Sequence, residues 1–191
     1  MLLTPATPAQ AAAADLLIVM DTANWREVAS RFPAAAHKIV LLGMFCAVIP
    51  DADAIGFKLG IPYESVWGHR GITHSFFFAA LLAITVNFLF YKDVKPNTGR
   101  WWGLFAFFFL STASHPILDA MTTGGLGVAF FAPFHNERYF FSYRPIQVSP
   151  IGIAKFFSEW GLRVIKSELV WVWLPSLVVI AIVEVYKKTT K

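Results

Sequence analysis

Apolar runs alternate with short polar connections along this chain, and five of the runs predict helices. The first, Pro5 to Met20, is short and interrupted by Gln10 and Asp15. The second, Ala34 to Ile49, is closed by Pro50. The third, Ser75 to Tyr91, is a nearly unbroken apolar stretch of 17 residues, about the length at which a membrane span begins. The fourth runs from Trp101 to Met121. The fifth, Leu169 to Tyr186, contains Pro175, which a membrane helix tolerates because its neighbours satisfy the freed backbone groups. Between the last two lies Thr122 to Glu168, rich in glycine, proline and aromatic residues. It predicts a segment packed over the helix ends, with a short amphipathic helix near Ile153 to Ile165. A connection of that length is more often functional than idle.

Composition places these runs in a membrane. The chain is 57% hydrophobic and only 15% charged, with mean hydropathy +0.57. A soluble domain is about 25% charged. The pattern predicts an all-α integral membrane bundle of four to five transmembrane helices, residues 1–191 forming a single domain. The net charge of +4 does not point to nucleic acid. The basic residues sit in connections between apolar runs, where they orient helices, and no basic stripe is visible. The one cysteine, Cys46, cannot form an intrachain disulfide.

The polar residues gather at particular helix ends. Asp51 and Asp53 follow the second helix, His69 and His74 precede the third, and His115 and Asp119 lie late in the fourth. If these helices cross in alternation, all six reach one face. "PDAD" offers two carboxylates to one cation if its backbone is extended. It can equally be a helix-ending turn with solvated acids. "GHRGITHS" places two histidines five residues apart, off one helical face. Gly71 permits a turn that aims both imidazoles at one point. The alternative is a pair of interfacial histidines beside a snorkelling Arg70. In "SHPILDAMTTGG", His115 and Asp119 share a helix face, where they can share a metal or form a histidine–aspartate hydrogen bond. Pro116 distorts that helix. "TTGGLG" lacks a phosphate-loop lysine and reads as a turn. His37 lies about 21 Å from Asp51 along a continuous helix and belongs to the opposite face. His135 reads as a loop histidine. Ionisable groups at membrane depth are costly and tend to mark function. A mixed imidazole and carboxylate site suits zinc or manganese.

"PDADAIGFKLGIPYESVWGHRGITHS", "SHPILDAMTTGG" and "PFHNERYFFSYRPIQVSPIG" resemble the YdjM-like family of bacterial inner-membrane proteins, over most of the chain from Ala34 onward. These are predicted metal-dependent hydrolases, distantly likened to zinc-dependent phospholipase C. The resemblance implies metal positions at Asp51, Asp53, His69, His74, His115 and Asp119. Many relatives carry a further histidine in the first helix, where this chain has Gln10.

Two readings of function follow. In the first, a divalent metal, zinc before manganese, supplies hydroxide near neutral pH. Asp53, His74 and Asp119 are then the candidate catalytic groups. Arg70, Arg138 and Arg144 are candidates for holding an anionic head group, and the substrate is a phospholipid or other lipid-linked phosphoester. In the second, the protein is a metal-binding scaffold or a small transporter. Transport calls for polar groups near the bilayer midplane. The third helix offers only Thr85 and Asn87 after Ser75, and the fifth only Ser176 before Glu184.

Orientation follows from lysine and arginine. Arg26, Arg31, Lys38, Lys92, Lys95, Arg100, Lys187, Lys188 and Lys191 gather on one face in short segments. Lys58, Arg70, Arg138, Arg144, Lys155, Arg163 and Lys166 spread over longer segments on the face bearing the motifs. The positive-inside rule then points the motif face away from the cytoplasm of a multi-pass inner-membrane protein. A reporter fused after Lys191 is expected to be active in the cytoplasm. Activity only outside the cytoplasm would reverse the orientation.

Overall fold

The computed structural model describes residues 33–150 and 157–189. The expected first helix and Gln10 lie outside the described residues, as do Arg26, Arg31, Lys155 and Lys191. Helix α1 spans Pro33–Val48 and runs directly into a 3-10 helix, Ile49–Phe57. Pro50 ends the α-helix but not the helical path. It sits in the first turn of the 3-10 segment, where a missing N–H costs little. Helix α2 spans Phe76–Phe90, and the Ser75 hydroxyl accepts from the Phe78 N–H at its start. Helix α3 spans Gly99–Ala120 and is capped by Thr98 in the same way. Helix α4, Glu159–Glu168, passes through a π-helical turn, Leu169–Trp173, into α5, Leu174–Thr189. Pro175 follows that turn directly. The widened turn accommodates a residue that cannot donate back along the helix.

Helices α1, α2 and α3 form the core, with α3 packed between the other two. Cys46, Ala83, Val86, Tyr91, Leu104 and Phe108 are its buried centre. Asn87 donates to the Trp101 carbonyl across the α2–α3 contact. Lys38 donates to the Phe90 carbonyl, which places the start of α1 beside the end of α2. Antiparallel neighbours therefore bring the end of α1, the start of α2 and the end of α3 to one pole. His37 belongs to the opposite pole.

The segment from Met121 to Pro150 folds as a cap over that first pole. It makes no named strand, only isolated bridges at Thr122–Ile146 and Val128–Tyr139. The cap is tied to the helices through its backbone. The Phe76 N–H, left without an intrahelical acceptor at a helix start, donates to the Phe130 carbonyl at 3.0 Å. The Ala129 N–H donates to the Arg70 carbonyl at 3.0 Å.

The described residues are all-helical apart from turns and bridges. Two helical stretches are long and apolar enough to cross a membrane: His37–Phe57 and Glu159–Tyr186. Phe76–Phe90 is apolar but shorter. Helix α3 is 22 residues long, yet Ser111, Thr112, Ser114, His115 and Asp119 lower its hydropathy. The expected four to five spans thus narrow, among the described residues, to two by length and composition.

Lipid is about as apolar as a membrane protein's core, so truncating a buried side chain costs mainly the cavity it leaves. Phe108 is fully buried and stacks on Tyr91. Phe108→Ala is expected to cost about 3 kcal/mol, the low end of the range for such truncations. Leu110, 62% exposed on the same helix, is the control, and Leu110→Ala should be near neutral. Unfolding midpoints in detergent check both. Equal midpoints would dissolve the proposed core.

Candidate metal centre

The three helix ends at the capped pole deliver the six motif residues to one place. His74 is the centre of the group and is fully buried. Its Nδ1 lies 3.1 Å from Asp53 Oδ2. Its Nε2 lies 3.3 Å from Asp119 Oδ2 and 3.5 Å from Asp51 Oδ1. His115 Nε2 lies 3.3 Å from Asp51 Oδ1 and 3.8 Å from Asp119 Oδ2. The imidazoles of His74 and His115 meet edge to face, with centroids 5.1 Å apart.

These residues fall into two sets. Donor atoms of Asp51, His74, His115 and Asp119 all lie within 4.8 Å of one another. A tetrahedron with metal–ligand bonds of about 2.0–2.2 Å has edges of about 3.3–3.6 Å, close to the separations found here. Burial sharpens the fit. His74 Nε2, His115 Nε2 and Asp119 Oδ2 are buried and make no hydrogen bond. Stranded polar atoms of this kind are rare because each costs its full desolvation. A cation among them would satisfy all three, so the residues present can hold a metal ion.

Asp53 and His69, again with His74, form the second set, whose donor atoms also lie within 4.8 Å of one another. Asp53 Oδ1 pairs with His69 Nδ1 at 2.7 Å. Asp53 Oδ2 accepts from the Arg70 N–H at 3.2 Å and from the Thr73 hydroxyl at 2.5 Å, and it faces His74 Nδ1. Its lone pairs are committed within the protein. A carboxylate on the far nitrogen of a ligating imidazole fixes its tautomer and orientation. Asp53 therefore stands behind His74 rather than beside the four converging atoms. Of the two conformations open to "PDAD", the backbone is not extended but helical, and Asp53 is buried rather than solvated. Both aspartates lie in the 3-10 helix, which turns Asp51 and Asp53 toward opposite nitrogens of His74.

Local sequence explains this placement. Arg70 has φ +60°, a left-handed conformation uncommon for a residue with a side chain. It turns the Arg70 N–H to Asp53 while the guanidinium reaches Asp119 Oδ1 at 2.8 Å. The guanidinium also donates to the Thr122 hydroxyl and the Gly124 carbonyl. Gly125, with φ +88°, lies beneath it, and a Cβ there would come within 2.7 Å of Arg70 Nη1. Arg70 thus holds Asp119 so that its other oxygen faces the two histidines.

Burial disfavours charge on His74. The carboxylates of Asp119, Asp51 and Asp53 outweigh it, and the imidazole is pushed up to about 10. Three acids at one imidazole make the place favourable for positive charge.

A cavity of 480 Å³ opens beside the cluster. Asp51, His69, Arg70, His115, Asp119 and Glu168 line it. Of the three arginines expected to hold an anion, only Arg70 reaches this cavity. Arg138 donates from Nη1 to the His69 and Gly127 carbonyls and from Nη2 to the Tyr63 and Ser65 carbonyls. Its terminal donors are spent on the loop that carries His69, which revises it from head-group ligand to clamp. Arg144 stacks over Phe140 and does not line the cavity. His135 borders a separate apolar groove with Phe77 and Phe134.

Sequence reasoning passed over Thr73 and Glu168. Thr73 lay inside the quoted "GHRGITHS", and its hydroxyl sits between Asp53 and His74 Nδ1. Glu168 stood at the edge of the fifth apolar run, where an acid is an anomaly only once the cavity is known.

Helices with apolar spans among the described residues and a buried histidine–aspartate cluster define a class of membrane protein that can hold a metal. Residues 9–190 match the family described as YdjM inner membrane protein, and the chain belongs to that family. It is 38% identical over 140 residues to the inner membrane protein YbcI of Escherichia coli (strain K12). That match covers 73% of this chain and 79% of the relative. No solved structure matches the chain.

The clamp role of Arg138 has a measurable consequence. Arg138→Ala strands several carbonyls of the His69 loop, and a hydrogen bond to a charged group is worth about 1.5–3 kcal/mol. The variant should lose stability on that scale, read as a lower unfolding midpoint in detergent, whereas Arg144→Ala should be close to neutral. Equal midpoints would show that Arg138 does not hold the loop.

Proposed function

We propose that this protein is a metal-dependent hydrolase of the bacterial inner membrane, acting on a phosphoester carried by a membrane lipid. The observation that carries the reading is the set of four donor atoms from Asp51, His74, His115 and Asp119, converging at tetrahedral spacing on the wall of a cavity. Two imidazoles and two carboxylates suit zinc, with manganese the second choice. A divalent cation supplies Lewis acidity and makes hydroxide available near neutral pH.

The chain's own residues have separate tasks in this reading. Asp53 and Thr73 orient His74 through its Nδ1. Arg70 fixes Asp119 and brings positive charge to the cavity edge, where a phosphate oxygen can lie. Asp51 is half exposed at the cavity, so of the four donors it is the one that can give up its place to an incoming water, leaving three protein ligands and an open position. The multi-pass topology, with the site on the non-cytoplasmic face, rests on the charge asymmetry of the connections. A scaffold that holds metal without turnover is the alternative that the experiment separates.

Metal content of the purified protein tests the site first. Wild type and His37→Ala should carry the same metal, and His74→Ala and His115→Ala should lose most of it. Asp53→Asn should keep the site but weaken affinity about 10–100-fold, as loss of an orienting partner does. Equal metal in His37→Ala and His115→Ala would sink the shared site. Hydrolysis of phospholipids in nanodiscs tests the activity. Metal without turnover on any phospholipid class would replace the hydrolase with the scaffold.

A further inference from the structure

The cap carries large apolar side chains that face outward. Phe134 is 74% exposed, Tyr143 59% and Phe131 50%. Two contacts join this surface to outward-facing residues of the apolar helices. Phe134 meets Phe77 of α2 edge to face, with centroids 5.6 Å apart. Tyr143 meets Trp171 of the π-helical turn edge to face at 5.5 Å. Phe77 is itself exposed in the first turn of α2, and Trp171 is exposed on the stretch Glu159–Tyr186. The outward aromatic side chains of the cap therefore meet those of the helices at two points.

A cap that faced water would place this surface in water. Scattered exposed apolar residues are normal, but a contiguous patch marks an interaction site. The chemistry of the patch selects the partner. It is aromatic, and Tyr143 and Trp171 pair an apolar ring with a polar edge, the composition of the boundary between lipid and water.

We infer that the cap segment Gly125 to Tyr143 is seated in the lipid head-group layer, so that the cavity beside the histidine–aspartate cluster is entered from the bilayer. The seam between cap and last helix supports the route. Ile146, Gln147 and Ser149 on one side and Glu168 and Val172 on the other are cavity wall. Val172 adjoins Trp171, whose ring meets Tyr143 on the outside. Ser167 accepts from the Gln147 N–H at 2.9 Å and fixes the seam at one point. A lipid can then offer its head group while its acyl chains stay in the membrane. The inference rests on the membrane placement proposed above and is independent of the metal.

Spin labels in nanodiscs of phosphatidylethanolamine and phosphatidylglycerol test it. The single native cysteine, Cys46, is fully buried, so introduced cysteines label selectively. Labels at Phe134→Cys and Tyr143→Cys are compared with Leu81→Cys, outward-facing in the middle of α2, and Lys95→Cys, in the connection at the opposite pole. The readout is accessibility to oxygen, which partitions into lipid, against a water-soluble nickel chelate. The expected result is an oxygen-to-nickel ratio at 134 and 143 several-fold above that at 95 and approaching that at 81. Ratios at 134 and 143 equal to that at 95 place the cap in water and overturn the inference. Shielding from both reagents means that residues before 33 or a second copy cover the patch, which also overturns it. A water-like ratio at 81 refutes the membrane placement itself, and the inference falls with it.

Discussion

A fully buried imidazole with carboxylates on both nitrogens is the constraint around which this pole is built. His74 cannot turn to solvent, and it cannot ionise alone in such surroundings without a large cost. Asp53 answers one nitrogen, and Asp51 and Asp119 approach the other. Those partners come from the 3-10 helix after α1 and the end of α3. The antiparallel packing of α1, α2 and α3 is thus also the assembly of the site. Arg70 completes the arrangement, since an arginine on Asp119 allows several acids to stand close together in a low-dielectric setting.

Much of this was legible in the sequence. The α2 and α3 boundaries fall within two residues of the expected ones, because a long apolar run bounded by Ser75 or Thr98 leaves little freedom. The convergence of "PDAD", "GHRGITHS" and "SHPILDAMTTGG" needed only that three helices alternate. The division of labour within the six was not legible. Motif spacing places Asp51 and Asp53 equally near a cation. Only the 3-10 twist separates one that reaches His74 Nε2 from one that reaches Nδ1. Arg138 was illegible for a different reason. An arginine in a polar loop looks available to an anion until the carbonyls around it are counted, and those carbonyls come from residues 63 to 69 and from Gly127.

The last helix shows a limit of reading periods. The start of the amphipathic stretch expected near Ile153 to Ile165 lies outside the described residues; from Glu159 it and the apolar run from Leu169 are one continuous helical path to Thr189. In the sequence they read as two separate elements. The backbone instead widens by one π-helical turn, which shifts the register of all that follows. Glu168 and Val172 reach the cavity while Trp171 faces outward. Single π turns inside helices recur where a side chain must be re-aimed, and here the turn lies at the cavity wall.

The few polar side chains along the apolar helices bear on what kind of work the pole can do. Thr85 donates to the Leu81 carbonyl one turn back, and Ser176 donates to the Val172 carbonyl in the same way. Asn87 is buried against the Trp101 carbonyl. Thr85 and Ser176 are satisfied within their helices, and Asn87 is buried with its amide N–H engaged and only its Oδ1 unpartnered, so two of the three offer no free group to a passing solute. Transport needs such groups at mid-depth, on broken helices that can move. Among the described residues the ionisable cluster is instead confined to one pole, beneath a cap whose outward aromatic side chains meet those of the helices. In the membrane placement proposed above, costly buried charge is concentrated toward the head groups and kept from the acyl chains. That distribution fits chemistry performed on a lipid at the membrane surface better than passage through the membrane.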